Sequence, residues 1–215
     1  MSAPAGSVAG VGFYERQILP RVIGCACGTK SLQRWRRAAL ASAGGTTVEI
    51  GFGSGTNVPL YPVTIERVLA VEPSEVARRM AAARIAASPI PVEVIGLDGQ
   101  SLPLADRSCD SAISTFTLCT VPDPSAALSE LHRVLNEHGT LHLLEHGRAP
   151  EERVAAQQRR FDGIQARVFG GCHLTRDVPA LVEQAGFVRR SFEQRYLKGA
   201  PRAISFVTIA TYAKA

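Results

Sequence analysis

The part of the sequence best suited to binding a ligand is the run Glu49-Ile50-Gly51-Phe52-Gly53-Ser54-Gly55. It falls where a predicted strand ends and a helix begins, and glycines there let the backbone turn tightly beside a ligand. Its E-x-G-x-G-x-G spacing differs from the G-x-G-x-x-G of loops that cradle a dinucleotide diphosphate. Because Glu49 would repel a diphosphate, the run favours a cationic ligand, with a purely structural glycine turn as the alternative.

Two further acids follow the next predicted strands. Glu72 ends the second strand, about 20 residues after the glycine loop begins, where a carboxylate can accept two hydrogen bonds from ribose hydroxyls. Asp98 follows the third strand and is placed to accept from an adenine amino group. Surface carboxylates at strand ends are the alternative interpretation of these acids. Taken with the glycine loop, they indicate a nucleoside site.

The elements that must position these residues alternate along the chain. Strands are predicted over 46–51, 67–72, 92–96, 109–115 and 140–145, helices over 74–86 and 123–135, and a turn over 137–139. This alternation predicts a parallel sheet with helices on both faces. Helices over 154–169 and 176–185, with Thr175 as a candidate N-cap, precede strands over 187–196 and 203–212. A hairpin over 198–202 joins those two strands, so an antiparallel pair ends the chain.

Composition excludes several classes of protein. The chain has 215 residues, 46% of them hydrophobic, and a net charge of +5, which excludes disorder and does not require a nucleic-acid partner. No apolar run is long enough to span a bilayer. Five cysteines and no signal peptide indicate a reducing, cytoplasmic location. The Cys25-x-Cys27 pair lacks partners with zinc-ligand spacing, so no metal site is predicted.

A family resemblance emerges from four segments: VEIGFGSGTN (48–57), VLAVEPS (68–74), GLDGQSLPLADRSCDSAIST (96–115) and LSELHRVLNEHGTLHLLEH (128–146). They resemble the class I S-adenosylmethionine-dependent methyltransferases, and in LPLADRSCD the ubiquinone and menaquinone methyltransferases. The segments TFTLCTV (115–121), LLEHG (143–147) and GCHLTRD (171–177) are similar to the methyltransferase-like proteins that methylate alkyl thiols.

The resemblance implies a Rossmann-like α/β fold with a seven-stranded, mostly parallel sheet and an antiparallel last strand. It implies one domain over 1–215, with residues 1–45 as a helical cap over the acceptor pocket and 46–215 as the core. Helices are predicted over 13–24 and 30–43 in this cap. Their basic residues suit peripheral contact with an anionic membrane, or a solvated face: Arg16, Arg21, Lys30, Arg34, Arg36 and Arg37. The implied reaction is methyl transfer from S-adenosylmethionine to a small hydrophobic acceptor, with a thiol favoured. A quinone-like or phenolic acceptor, a small amine and a non-catalytic cofactor-binding protein stay open.

The resemblance also assigns residues to roles. The cofactor would contact Glu49, Gly51, Gly53, Gly55, Glu72, Pro73, Asp98, Gly99 and Thr115, with Glu49 near the methionine ammonium. The acceptor would contact Tyr14, Leu118, Cys119, Cys172 and His173. His146 ends the fifth strand at the same edge of the sheet and is the candidate base, with a wall residue as the alternative.

Overall fold

The computed structural model describes Leu19, Arg21 and residues 29–215, and for Lys30 and Ser31 the backbone alone. Tyr14 and most of the helix predicted over 13–24 lie outside the described residues. The second predicted helix is present as α1, Lys30–Leu40.

One seven-stranded sheet forms the centre of the described chain. Its strands, in chain order, are β1 Gly45–Ile50, β2 Ile65–Val71, β3 Val92–Gly96, β4 Cys109–Thr115, β5 Leu135–His146, β6 Phe187–Tyr196 and β7 Phe206–Lys214. The spatial order is β3-β2-β1-β4-β5-β7-β6. The first five strands are parallel, and β7 runs antiparallel between β5 and β6. The predicted mostly parallel sheet is confirmed.

Helices cover both faces of this sheet. After α1 they are α2 Glu75–Ala86, α3 Pro124–Val134, α4 Glu152–Val168, α5 Val178–Gln184 and the short α6 Arg202–Ser205. Alternation along β5 shows how the faces divide: Leu141 and Leu143 pack with Leu128 of α3, whereas Leu144 packs with Ala39 of α1. Each face thus has its own apolar layer.

Short polar side chains fix where three helices begin. The Ser74 hydroxyl accepts from Ala77 N at 3.2 Å, as predicted for this N-cap. Asp123 caps α3, and Asp177 caps α5 by accepting from Ala180 N. The expectation that Thr175 is the N-cap is therefore wrong, because the helix begins two residues later.

Two predicted boundaries are also wrong. The turn expected over 137–139 is instead an irregularity inside β5, whose pairing with β4 passes from Leu135–Cys109 to Thr140–Ser111. The last strand was expected from residue 203, but Arg202–Ser205 form α6 and β7 begins at Phe206. Both errors fall where tertiary pairing, and not local pattern, decides the backbone.

The strand order places a ligand site between β1 and β4. From β1 the chain builds outward first through β2 and β3, and then in the other direction through β4 and β5. At such a switch point the loops that follow the two central strands separate and leave a crevice. Within the part of the chain that the structure describes, no helix is long and apolar enough to cross a membrane.

Candidate functional site

A cavity of about 430 Å³ opens at the carboxyl edge of the sheet, at this switch point. Its walls come from the loops after β1, β2, β3 and β4, and from Arg36 of α1. Of the residues predicted to bind the cofactor, those that line it are Gly51, Gly53, Glu72, Pro73, Asp98, Gly99 and Thr115. The fold therefore brings together residues that are up to 64 positions apart in sequence, from Gly51 to Thr115.

The three glycines of the loop have different surroundings. All three have positive φ, which favours glycine. A Cβ on Gly51 would lie 2.0 Å from Thr117 Oγ1, whereas one on Gly53 would meet nothing closer than Gly51 O at 3.8 Å. A Cβ on Gly55 would lie 3.2 Å from the Cβ of Ala81 in α2, and Gly55 does not line the cavity. Of these three glycines, only Gly51 and Gly53 bring backbone to the cavity wall.

Glu72 links the glycine loop to the start of α2. Its Oε2 accepts from Gly53 N at 2.7 Å and its Oε1 from Ser74 N at 2.8 Å. The residue is 7% exposed, and burial raises the pKa of its carboxyl, while the two backbone hydrogen bonds act in the opposite direction. Each carboxylate oxygen has a further lone-pair direction available in the ionised form, so two more donors can be accepted.

The loop after β3 supplies the far wall of the cavity. Asp98 is exposed, and its Oδ1 accepts from the Gln100 backbone N at 2.8 Å and from the Gln100 side chain. Gly99 lies against Ile50, with a would-be Cβ at 3.4 Å from that side chain. These contacts hold the Asp98 carboxylate at the mouth, where a polar ring edge can reach it.

Glu49 lies beneath the loop and not in the cavity wall. Its carboxylate accepts from Asn57 Nδ2 at 2.9 Å and from the Tyr61 hydroxyl at 2.5 Å. Burial raises the pKa of Glu49 to about 7. These hydrogen bonds and the nearby Arg36 act in the opposite direction and only partly offset it. Glu49 therefore does not line the cavity, and its expected place near the methionine ammonium stays a prediction.

Arg36 and Phe116 line the cavity, and Arg36 is absent from the predicted site. Arg36 is only 2% exposed, and its Nη1 donates to Asn57 Oδ1 at 2.8 Å and to Thr115 Oγ1 at 2.9 Å. Its guanidinium lies 5.3 Å from the centre of the Phe116 ring, a residue with φ of +56°. A buried cation thus faces the same end of the cavity as Thr115.

The predicted acceptor residues fall into two groups. Cys119 and Cys172 lie side by side, with Sγ atoms 3.7 Å apart, and His146 Nδ1 is 3.9 Å from the Cys172 sulfur. The pKa of Cys172 is lowered, first by its hydrogen bond with Cys119 and further by the nearby His146. The His146 ring packs on Phe116, with centroids 4.7 Å apart, so the cluster adjoins the cavity wall without lining it.

Leu118 and His173 do not reach the cavity. Leu118 is fully buried in the main core, and its expected contact with the acceptor stays a prediction. His173 is bound through Nδ1 to Asp162 Oδ2 at 2.7 Å, and its backbone N donates to Cys119 O. Its contribution is to tie the segment after α4 to the loop after β4.

Comparison with known proteins gives three findings. A family model described as "Methyltransferase domain" matches residues 48–143. Thiol S-methyltransferase TMT1B of Rattus norvegicus is 30% identical over 146 residues, which are 66% of this chain and 59% of that protein. Demethylmenaquinone methyltransferase of Thermobifida fusca (strain YX) is 28% identical over 193 residues, covering 83% of this chain and 81% of the relative. The chain thus spans about three fifths of the thiol methyltransferase.

Solved structures share the same fold. The structure of an S-adenosylmethionine-dependent methyltransferase from Methanosarcina mazei superposes with a TM-score of 0.61 at 20% identity, covering 79% of this chain and 92% of that one. At this identity the likeness establishes the Rossmann-like sheet and its helices. The family match falls on the part of the chain that builds the cavity, from β1 to β5.

Proposed function

Because the chain belongs to the class I S-adenosylmethionine-dependent methyltransferases, we propose that it transfers the methyl group of that cofactor to a small hydrophobic thiol. The observation that carries the cofactor half of this proposal is the placement of Glu72. Its buried carboxylate faces the cavity between the glycine loop and α2, and it has acceptor capacity for two ribose hydroxyls. Asp98 at the mouth then accepts from the adenine amino group, with Gly99 and Pro73 as flanking walls.

The methionine end of the cofactor lies, in this proposal, toward Arg36 and Thr115. The Arg36 guanidinium is a buried cation at the cavity wall, and it suits the methionine carboxylate. Gly51 and Gly53 allow the loop backbone to approach the same moiety. Glu49 acts from beneath: with a pKa raised to about 7 it is partly ionised near neutral pH, and its ionised form favours the ammonium and the sulfonium. Gly55 supports the loop against α2.

Methyl transfer is an in-line displacement that needs an electron pair on the acceptor. The thiolate sulfur attacks the methyl carbon, the bond from that carbon to the sulfonium breaks, and S-adenosylhomocysteine and a methyl thioether result. Holding donor and acceptor in line is worth several kcal/mol. A thiol with a pKa near 8.5 needs modest help to lose its proton. We assign the deprotonation of the acceptor thiol to the end of β5, where His146 lies beside Phe116.

The acceptor class rests on the relatives. Thiol methyltransferases and demethylmenaquinone methyltransferases are both similar to this chain. A thiol is favoured because a sulfur-rich cluster adjoins the cavity, whereas a quinone ring is the second candidate. Residues 1–45, with Tyr14, are proposed to cap the acceptor. Peripheral membrane contact belongs to the same proposal. Among the basic residues of this cap, Arg36 is buried, whereas Arg34 and Arg37 are exposed.

The test is a transfer assay with S-adenosylmethionine labelled in its methyl group. Matched acceptors are an alkyl thiol, the alcohol of the same chain length, a phenol and a demethylated quinol. Mass spectrometry of the products is expected to show label on the thiol and none on the alcohol. Label on the quinol alone would replace the thiol proposal, and tight cofactor binding without any labelled product would favour a non-catalytic binding protein.

A further inference from the structure

Cys119, His146 and Cys172 form a cluster that resembles three corners of a zinc site. Their ligand atoms lie within 4.8 Å of one another. A tetrahedral Zn²⁺ with sulfur at about 2.3 Å and nitrogen at about 2.0 Å puts its sulfurs about 3.8 Å apart and sulfur and nitrogen about 3.6 Å apart. Two of the three separations are 3.7 Å, between the two Sγ atoms, and 3.9 Å, from Cys172 Sγ to His146 Nδ1. The third, between Cys119 and His146, is within 4.8 Å.

The backbone around the cluster is already fixed. Glu145, fully buried in β5, accepts from the backbone N of Thr117, Leu118 and Cys119 at 2.9, 3.1 and 3.3 Å. The Cys119 carbonyl accepts from His173 N at 2.8 Å, which joins the loop after β4 to the segment that carries Cys172. Metal ligands held in place in this way lose little freedom when an ion binds.

The net charge of the metal with its ligands, and the place of the cluster beside the cavity, favour a zinc site with one open coordination position. Zn²⁺ with two thiolates and a neutral imidazole has no net charge, so it tolerates the burial of both cysteines. The cluster adjoins the cavity wall: Thr120, next to Cys119, and Gly170, two residues before Cys172, both line the cavity. Three protein ligands with a fourth position for substrate is the pattern of catalytic zinc.

We propose that Cys119, His146 and Cys172 bind Zn²⁺ and that the sulfur of the acceptor thiol takes the fourth position. On binding, the S–H proton goes to solvent and the acceptor stays as a metal-bound thiolate. That thiolate gives its electron pair to the methyl carbon as the bond from that carbon to the cofactor sulfonium breaks and S-adenosylhomocysteine is released. The thioether product, a weaker ligand, then leaves the metal. His146 is then a metal ligand and not a base. The acceptor half of this inference rests on the proposed function; the zinc site does not.

The first experiment measures metal alone, without cofactor or acceptor. Because Cys25 and Cys27 are themselves thiols, the chain with both changed to serine is studied beside the unaltered chain, under a phosphine reductant. Both are expected to hold one Zn²⁺ per chain. Cys119→Ser, Cys172→Ser and His146→Ala are each expected to weaken binding by about a hundredfold or more, measured by chelator competition. Cys109→Ser, which changes a buried cysteine outside the cluster, is the matched control.

A folded chain that binds no Zn²⁺, or cluster variants that bind it as tightly as the Cys109→Ser control, would overturn the site. Circular dichroism of each variant separates lost ligands from lost folding, and Co²⁺ absorption of the unaltered chain tests the site without any variant. Addition of 1-butanethiol to the Co²⁺ form is expected to increase the sulfur-to-metal charge-transfer band by about half, from two thiolates to three. A metal site without that increase would refute the acceptor role alone, and failure of methyl transfer with the increase present would refute the proposed function alone.

Discussion

Replacement of Glu72 by alanine is expected to weaken cofactor binding strongly. Each carboxylate oxygen already accepts one backbone N–H, from Gly53 and from Ser74, and each has one further acceptor direction. Two ribose hydroxyls bound to a charged acceptor contribute about 1.5 kcal/mol each at the low end. Their loss together is about 3 kcal/mol, or about a 150-fold rise in Kd.

Glutamine at position 72 gives an intermediate and more specific test. The amide keeps one acceptor oxygen, so about one of the two ribose bonds is lost, and one backbone N–H, of Gly53 or of Ser74, also loses its acceptor. Kd is therefore expected to rise about tenfold or more. Since burial raises the pKa of Glu72, the carboxylate gains a proton at higher pH than an exposed one does. Wild-type affinity is therefore expected to fall as pH falls through that raised pKa, whereas the affinity of Glu72→Gln stays flat.

Isothermal titration calorimetry with S-adenosylhomocysteine measures these affinities. Glu75→Gln is the matched control, because this exposed carboxylate lies one helical residue beyond the Ser74 cap and outside the cavity wall. Thermal unfolding of each variant shows that the loop still folds at the titration temperature. A Kd for Glu72→Ala within twofold of the wild-type value, in a folded chain, would refute the assignment of the ribose to this carboxylate.

Three further predictions concern residues in the cavity wall and beneath it. Arg36→Gln is expected to raise the Kd of S-adenosylhomocysteine about thirtyfold through loss of about 2 kcal/mol of charge pairing, and to leave adenosine affinity unchanged in the same titration; equal losses for both ligands would contradict the carboxylate assignment. Folding raises the pKa of Glu49 from 4.5 to about 7, so wild-type stability is expected to fall by up to about 3 kcal/mol as pH rises through that range; urea unfolding should show a flatter profile for Glu49→Gln, and parallel profiles would refute the shift. Gly51→Ala is expected to destabilise the chain through its clash with Thr117, whereas Gly53→Ala keeps more stability but loses cofactor affinity; equal unfolding midpoints for the two would contradict this division of roles.

The sequence predicts the sheet well because local pattern and topology agree there. The bounds of β3 and β4 match the expectation, and Glu72 and Asp98 reach one cavity because the carboxyl ends of parallel strands share an edge. The irregularity in β5 and the short α6 were not predictable in the same way. The irregularity depends on how β5 pairs with β4, and α6 packs against α4 and β6, contacts that no local pattern records.

The missing cavity residues share a different cause. Arg36 is basic and was grouped with the exposed face of its helix, yet it lies between Leu32 and Leu40 at four-residue spacing, on the apolar side. That spacing is the signal that could have found it. Cys119, His146 and Cys172 were each predicted to face the acceptor. Their meeting as one cluster required the packing of the segment after α4 against the ends of β4 and β5.

The central claim is that the cavity between β1 and β4 holds the adenosyl part of the cofactor. A crystal structure of the chain with S-adenosylhomocysteine tests it most directly. We expect both ribose hydroxyls within hydrogen-bonding distance of Glu72, and the adenine beside Asp98 and Gly99. A ribose elsewhere on the chain, or a Glu72 carboxylate that contacts only Gly53 and Ser74 while the ligand is bound, would contradict the account.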